Sequence, residues 1–227
     1  MSCGVFITGT DTGSGKTEVA VALLQGLGRA GKRAVGFKPV ASGAGWVDGK
    51  LQNDDALALQ RAGAPGVACA DINPYCFAPA IAPHLAARDA GIAIDFVHLA
   101  DRYRRLAADA DCVVVEGAGG WRVPLADARD MRALALELGL PVILVVGLRL
   151  GCINLALLSE QSILDSGAPL LGWIGSTVDP AMERLNDNVQ TLHRALRCPC
   201  LGILQGDRSL VAADAISASV LDAVDAL

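Results

Sequence analysis

Positive charge is scarce in this sequence. Lys and Arg total 19 against 24 Asp and Glu, a formal net charge of −5 over 227 residues. No basic stripe and no basic patch interleaved with aromatics interrupts that balance, so no nucleic-acid surface is expected. Aromatics are few, 4% of the chain, and Val, Leu, Ala and Gly supply most of the 52% apolar fraction. That is the composition of a parallel sheet buried on both faces, with apolar residues enough for a sizeable core. Long hydrophobic runs are missing too: the longest, residues 140–148, is far too short to span a bilayer. Met1-Ser2-Cys3-Gly4 has neither the charged n-region nor the apolar h-region of a signal peptide. The expectation is a soluble, cytoplasmic protein with no membrane partner.

Cysteine offers no framework either. The seven stand at positions 3, 69, 76, 112, 152, 198 and 200, an odd and irregular set that fits reduced, mostly buried thiols. Cys198-Pro199-Cys200 is the one close pair, and only His193 is near. A tetrahedral metal site needs more ligands than these, so the pair reads as a turn and the start of a strand. Internal repeats, low-complexity segments and Pro/Gly linkers are absent, so the 227 residues read as a single domain.

What is present is alternation. Strand-like runs fall at residues 5–8, 34–38, 112–116, 142–146, 171–178 and 200–204. Helical patterns occupy 16–30, 54–62, 94–108, 131–138, 154–166, 181–196 and 211–226. Gly31, Gly139 and Gly167 close helices where a C-terminal glycine is favoured. The spacing predicts an α/β fold, a parallel sheet flanked by helices with right-handed crossovers. Residues 39–53, and residues 63–93 with their four prolines, break the alternation. Both are read as loops at the carboxyl side of the sheet, where open α/β sheets hold their ligands.

The strongest motif is Gly9-Thr10-Asp11-Thr12-Gly13-Ser14-Gly15-Lys16-Thr17, between an apolar run and a helical pattern. Strand, glycine loop and helix start in that order make a phosphate-binding loop. Its backbone N–H groups and the helix dipole attract phosphate, Lys16 reaches the outer phosphates, and the Thr17 hydroxyl binds Mg²⁺. Thr10 stands where the general pattern has its first glycine, and Gly9 lies one residue early.

The run Cys112-Val113-Val114-Val115-Glu116 ends in one carboxylate before Gly117-Ala118-Gly119-Gly120, read as a glycine turn. An acid at such a strand end lies beside the phosphate loop and serves Mg²⁺, against the alternative of a solvated strand-end acid. Lys38 ends the second strand-like run. It either faces solvent or stabilises charge on a transferring phosphoryl group from the side opposite Lys16. Asn53-Asp54-Asp55 opens a helix; Asn53 or Asp54 would cap it, and the spare carboxylate is either a second metal ligand or part of an ordinary helix cap. Leu150-Gly151-Cys152-Ile153-Asn154 opens another helix, and fits a plain turn or an anion site equally.

Together the segments GTDTGSGKT, GFKPVASG, DDALALQ, NPYCF with PHLAA, VVVEGAGGWRVPL and LPVILVVGLRLGCIN resemble dethiobiotin synthase, in order and spacing from residue 5 to about 180. The resemblance implies a phosphate-loop NTPase-type fold. It implies an ATP- and Mg²⁺-dependent cyclo-ligase that joins CO₂ to 7,8-diaminononanoate through a carbamate and a carbamic–phosphoric anhydride. It assigns Lys16 and Lys38 to the phosphoryl group and carbamate, and Thr17, Asp55 and Glu116 to Mg²⁺. Thr12 and Ser42 touch the diamine beside Lys38. The nucleotide contacts Gly13, Ser14, Gly15, Lys16, Thr17, Glu18, Gly117, Ala118, Gly119, Ser176 and Thr177. The resemblance also implies a homodimer in which Leu150, Gly151, Cys152, Ile153 and Asn154 bind the substrate carboxylate of the neighbouring subunit.

Three departures accompany it. Gly13 replaces a common glutamate, Ser176-Thr177 replaces an Asn-Asp pair whose amide reads adenine, and Leu204-Gln205-Gly206-Asp207 lacks a customary proline. Base choice is therefore open. Two other readings share the superclass. A partition or septum-positioning ATPase resembles the chain in fold but has a second lysine early in its loop, where this chain has Thr10-Asp11-Thr12. Such proteins often end in a basic membrane helix, whereas residues 209–227 carry Asp214, Asp222 and Asp225 and no base. A cobyrinate-type amidotransferase has a similar synthetase portion but needs a further glutaminase domain.

Overall fold

The computed structural model describes residues 3–205 and 210–226. Met1, Ser2, Gly206, Asp207, Ser209 and Leu227, on which parts of the readings above rest, lie outside them. The chain opens with β1 (Cys3–Gly9), α1 (Lys16–Arg29), β2 (Ala34–Phe37), β3 (Val40–Ser42), β4 (Gly45–Val47) and β5 (Lys50–Gln52). It continues through α2 (Asp54–Ala62), α3 (Cys69–Ile72), β6 (Tyr75–Phe77), α4 (Pro83–Asp89) and α5 (Phe96–Ala108). Next come β7 (Cys112–Gly120), β8 (Pro124–Ala126), β9 (Arg129–Asp130), α6 (Met131–Leu138) and β10 (Val142–Gly147). The last part holds α7 (Cys152–Asp165), β11 (Leu170–Ser176), α8 (Leu185–Ala195), β12 (Cys200–Leu204) and α9 (Leu210–Asp225).

Six strands form one parallel sheet in the order β12-β11-β10-β1-β7-β2. In β1, Phe6 registers with Val142 of β10 and Val115 of β7. Side chains alternate across a strand, and β1 divides accordingly. Val5 and Ile7 join Val114, Ile143 and Ile174 in the core under α1, α2 and α9. Phe6 joins Val113, Val115, Leu144 and Trp173 on the other face, under α5, α6 and α7. Each fully buried side chain of this kind contributes about 1.5–3 kcal/mol of transfer free energy, so the two apolar layers hold the sheet rigid between them.

The helices begin and end for local reasons. Asn53, Asp95 and Asp130 cap α2, α5 and α6 with side-chain oxygens. Gly31, Gly139 and Gly167 follow helices with φ of 76°, 64° and 77°, the left-handed conformation that suits glycine.

Four expectations need correction. The residues after Glu116 are not a turn: Gly117, Ala118 and Gly119 continue β7 to Gly120, which registers with Gly9. Residues 39–53 are not a plain loop, because Asp48 (φ 49°) and Gly49 (φ 73°) fold β4 and β5 into a tight hairpin. Residues 63–93 hold two short helices and a strand, with β3 paired to β6. The helix expected at 154–166 begins at Cys152, with Gly151 (φ 95°) as its cap residue. His193 packs edge-on against Trp173 and Cys200 starts β12, which agrees with the turn-and-strand reading of the close cysteine pair.

Candidate active site

The phosphate loop occupies the carboxyl end of β1 and is wedged there by absent side chains. A Cβ on Gly9 would lie 2.2 Å from Ser14 Oγ, one on Gly147 would lie 2.9 Å from Ser14 Cα, and one on Gly15 would lie 2.1 Å from Ser176 Oγ. Gly13 (φ 76°) and Gly15 (φ 88°) are left-handed. Thr10 is not, and its N–H donates to Val145 O at 3.0 Å. The loop therefore closes without a glycine at that position. Gly15 caps α1 with no side-chain hydrogen bond, which leaves the N–H groups of the first turn to a ligand. Ser14 Oγ is buried with no partner among the described residues.

Lys16 is 6% exposed, and its Nζ donates to Asp11 O at 2.9 Å. Burial, then the neighbouring charge of Lys38, lowers its pKa to about 8. A second cation sits close by. Lys38 follows β2 and is 3% exposed; its Nζ donates to Glu116 Oε1 at 2.6 Å and Asp55 Oδ2 at 2.8 Å. Thr17 Oγ1 donates to the same Glu116 oxygen at 2.9 Å. Burial opposes the charge on Lys38, but the two carboxylates hold its pKa above the ordinary lysine value. Burial also pushes the Glu116 carboxyl upward against the pull of Lys38. Lys38 therefore remains the donor and Glu116 the acceptor of their hydrogen bond. For Asp55, burial works upward and the Lys38 charge outweighs it, so its pKa falls below the carboxylate norm.

Asn53 explains why Asp55 is free for this task. Its Oδ1 accepts from the N–H groups of Asp55 and Ala56 at 3.1 and 3.3 Å, so capping uses no carboxylate. Lys38 is fixed from behind by a residue the sequence reading did not single out. Asn73 Nδ2 donates to Lys38 O at 2.7 Å and to Tyr75 O at 3.1 Å. The only sequence signal for it was its place at the head of NPYCF.

These groups face a cavity of about 670 Å³ lined by Thr12, Lys16, Thr17, Lys38, Ser42 and Asp55, among others. Gly13, Gly15, Glu18, Glu116, Ala118 and Gly119 border it as well, whereas Gly117 contributes its carbonyl, 3.4 Å from Lys38 Nζ. A second cavity of about 360 Å³ continues from Gly13, Gly15 and Glu18 to Ser176, Thr177, Leu204 and Gln205. Thr177 Oγ1 there is buried and unpartnered among the described residues. The structure does not bring Leu150, Gly151, Cys152, Ile153 or Asn154 to either cavity. Leu150 is 94% exposed, and its loop is tied to the phosphate loop through an ion pair between Arg149 and Asp11.

A magnesium ion fits the donor set. Thr17, Asp55 and Glu116 offer hard oxygens, the preferred ligands of such a cation. Glu116 Oε2 is buried with no partner among the described residues, although Lys38 Nζ already bridges the other Glu116 oxygen and Asp55.

Comparison with known proteins gives a consistent result. A family model described as an AAA domain matches residues 3–214. The ATP-dependent dethiobiotin synthetase BioD of Aromatoleum aromaticum is 48% identical over 199 residues, 88% of each chain. Its counterpart in Pseudomonas aeruginosa (strain UCBPP-PA14) is 52% identical over 198 residues, 87% of each chain. Among solved structures, cobyrinic acid a,c-diamide synthase from Mycobacterium smegmatis, with bound ADP and magnesium, aligns with a TM-score of 0.61 at 15% identity. That alignment covers 100% of this chain and 94% of the other. The septum site-determining protein MinD from Pyrococcus horikoshii, complexed with Mg-ADP, aligns at 0.55 and 16% identity, over 96% and 86% of the chains. At those identities the two structures speak for the phosphate-loop fold alone. With relatives about half identical over nearly nine-tenths of its length, the chain belongs to the ATP-dependent dethiobiotin synthetase family of ligases.

Proposed function

We propose that the protein converts 7,8-diaminononanoate, CO₂ and ATP to dethiobiotin, ADP and phosphate. The observation that carries this reading is the meeting of Lys38, Glu116, Asp55 and Thr17 at the mouth of the phosphate loop, inside a cavity roomy enough for a triphosphate tail and a diamine. One amine of the substrate adds to CO₂ and loses a proton, giving a carbamate. A carbamate oxygen attacks the γ-phosphorus, the bond to the ADP oxygen breaks, and a carbamic–phosphoric anhydride results. The second amine attacks the carbonyl carbon, phosphate leaves, and the ureido ring closes. Little of this asks the protein for covalent chemistry; it asks for position and for charge placed in advance.

Lys16 is assigned to the outer phosphates, and Lys38 to the charge shared by carbamate and transferring phosphoryl group. Thr12 and Ser42 hold the diamine, and Gly13, Ser14 and Gly15 present backbone N–H groups to the phosphates. Thr17, Asp55 and Glu116 would hold Mg²⁺, which neutralises phosphate oxygens when bound. Ser176 and Thr177 border the base. The reading extends to a single phosphate-loop unit over residues 1–227, working in the cytoplasm as a homodimer. In it, Leu150, Gly151, Cys152, Ile153 and Asn154 reach the substrate carboxylate of the other subunit. Support for the last step is the open helix start at Gly151 and its absence from the cavity of its own chain.

The test is phosphate release with and without diamine and bicarbonate, together with the mass of the product. Turnover is expected to require both and to yield the cyclic urea. Hydrolysis indifferent to both would favour an assembly ATPase and reject the proposal.

A further inference from the structure

Outside the active site, two thiols stand closer than any function described so far requires. Cys3 begins β1 and Cys112 begins β7, and the two are register partners in the parallel sheet. Their sulfurs are 2.8 Å apart, with the Cys112 thiol donating to Cys3. We propose that Cys3 and Cys112 form a redox-active thiol pair, a modification site that a low-molecular-weight disulfide converts to an intramolecular disulfide. Neighbouring strands lie about 4.7–4.9 Å apart, inside the Cα separation of about 4.4–6.8 Å that a disulfide tolerates. Register partners on neighbouring strands are thus within disulfide reach.

The two cysteines are not equivalent. Cys3 is partly exposed, whereas Cys112 is 2% exposed. The hydrogen bond from Cys112 lowers the Cys3 pKa, against burial and the charge of Asp225, with Lys32 assisting. The same bond, with burial and then Cys3 and Asp111, raises that of Cys112. Tyr103 completes the surroundings; burial and then the two cysteines raise its phenol to about 12. Cys3 is thus the attacking thiolate and Cys112 the resolving thiol. The Cys3 thiolate attacks one sulfur of the external disulfide, that S–S bond breaks, and a thiolate leaves. Cys112 sulfur then attacks the Cys3 sulfur of the mixed disulfide. The second external thiolate leaves, and the Cys112 proton passes to it. Two external thiols are produced for each protein disulfide.

The link joins the amino ends of β1 and β7, whereas Gly9 and Glu116 serve the active site from farther along the same strands. Oxidation therefore stabilises the fold without blocking the cavity. Cross-linking residues so distant in sequence removes entropy from the unfolded chain, which for a protein of this size corresponds to a rise in Tm of about 5 °C or more.

The experiment treats the full chain with oxidised glutathione, caps free thiols with N-ethylmaleimide under denaturing conditions, and maps the peptides. The expected wild-type result is a Cys3–Cys112 cross-linked peptide that dithiothreitol removes, with the higher Tm in the oxidised form. Cys112→Ser is expected to hold glutathione on Cys3, and Cys3→Ser to leave Cys112 unmodified. Wild-type protein that keeps both thiols free while Cys69, Cys76, Cys198 or Cys200 reacts overturns the proposal. So does wild-type protein in which glutathione stays on Cys3. The wild-type map decides even where a variant fails to fold.

Discussion

Asp11 of the phosphate loop and Arg149 of the loop before α7 are joined by an ion pair within one chain. The pair is half-exposed, with side-chain exposures of 27% and 38%, so its worth to stability is small, under about 1 kcal/mol. Its worth lies in position. Arg149 precedes Leu150 and Gly151, so the pair ties the α7 start to the phosphate loop. Arg149→Ala should leave Tm nearly unchanged and raise KM for the diamine by roughly tenfold or more, since small misplacements of binding groups are costly. Steady-state kinetics with diamine varied at saturating ATP is the measurement. An unchanged diamine KM would remove this loop from the substrate site.

Lys38→Ala should separate turnover from binding. Its charge matters as the phosphoryl group moves, so kcat should fall roughly 10²–10³-fold while nucleotide affinity changes far less. The variant also leaves Glu116 buried without its cation, which typically costs about 3–5 kcal/mol. Lys38→Met combined with Glu116→Gln should recover that stability and none of the activity. Calorimetry of nucleotide binding beside turnover checks the split, and equal losses in both would reject the assigned role.

Glu116→Gln keeps the shape of the side chain and its acceptor oxygen toward Lys38. It removes the negative charge beside the Thr17 hydroxyl. The Mg²⁺ concentration for half-maximal turnover should rise about tenfold or more. A magnesium titration that superimposes on the wild type would mean the carboxylate serves Lys38 alone.

Hybrid dimers test the shared site. Lys16→Ala removes the phosphate-binding lysine. Gly151→Val distorts the α7 start, because φ at Gly151 is 95° and no atom of the described residues lies within 4 Å of its Cβ position, so the damage is confined to the backbone. Each variant alone should be inactive, and their mixture should regain part of the activity once mass measurements show subunit exchange. Proven exchange with no recovery would confine the substrate to one subunit.

Base discrimination should be weak. An amide that donates and accepts at once is worth about 1–3 kcal/mol against a wrong base where such pairs are known. The 360 Å³ cavity is lined by Ser176, Thr177 and Gln205, none of them an asparagine. A serine or threonine hydroxyl donates or accepts with equal ease and so favours no base. We expect ATP, GTP, CTP and UTP to differ in kcat/KM by less than about 100-fold. A larger preference for ATP would identify Gln205 or nearby backbone as the reader.

Much of the frame was legible because periodicity and punctuation agree. Val113 to Val115 and Val142 to Val146 announce buried strands, and Gly139 ends α6 in the conformation only its lack of a side chain makes easy. The order of strands was not legible, since nothing local to β2 says that it pairs with β7 instead of β1. The hairpin at Asp48-Gly49 carried the strongest short hairpin signal, an Asp-Gly turn, but was masked by the glycines around it. In the site, Lys16 and Thr17 were fixed by their motif. The partnership of Lys38 with Asp55 and Glu116 was not, because it joins three elements far apart in sequence. Asn73 was invisible for the same reason: its duty is to a backbone carbonyl 35 positions away.

The contact between Gly15 and Ser176 makes the triphosphate grip and the base pocket one mechanical piece. The serine hydroxyl already fills the space a side chain on residue 15 would need. An asparagine in place of Ser176 would have to send its amide away from the loop or push the loop off its seat. An adenine reader at this position therefore has one way to lie, with its amide turned from Gly15 toward the base, so the seat of the phosphate loop dictates the direction of the side chain that reads the base.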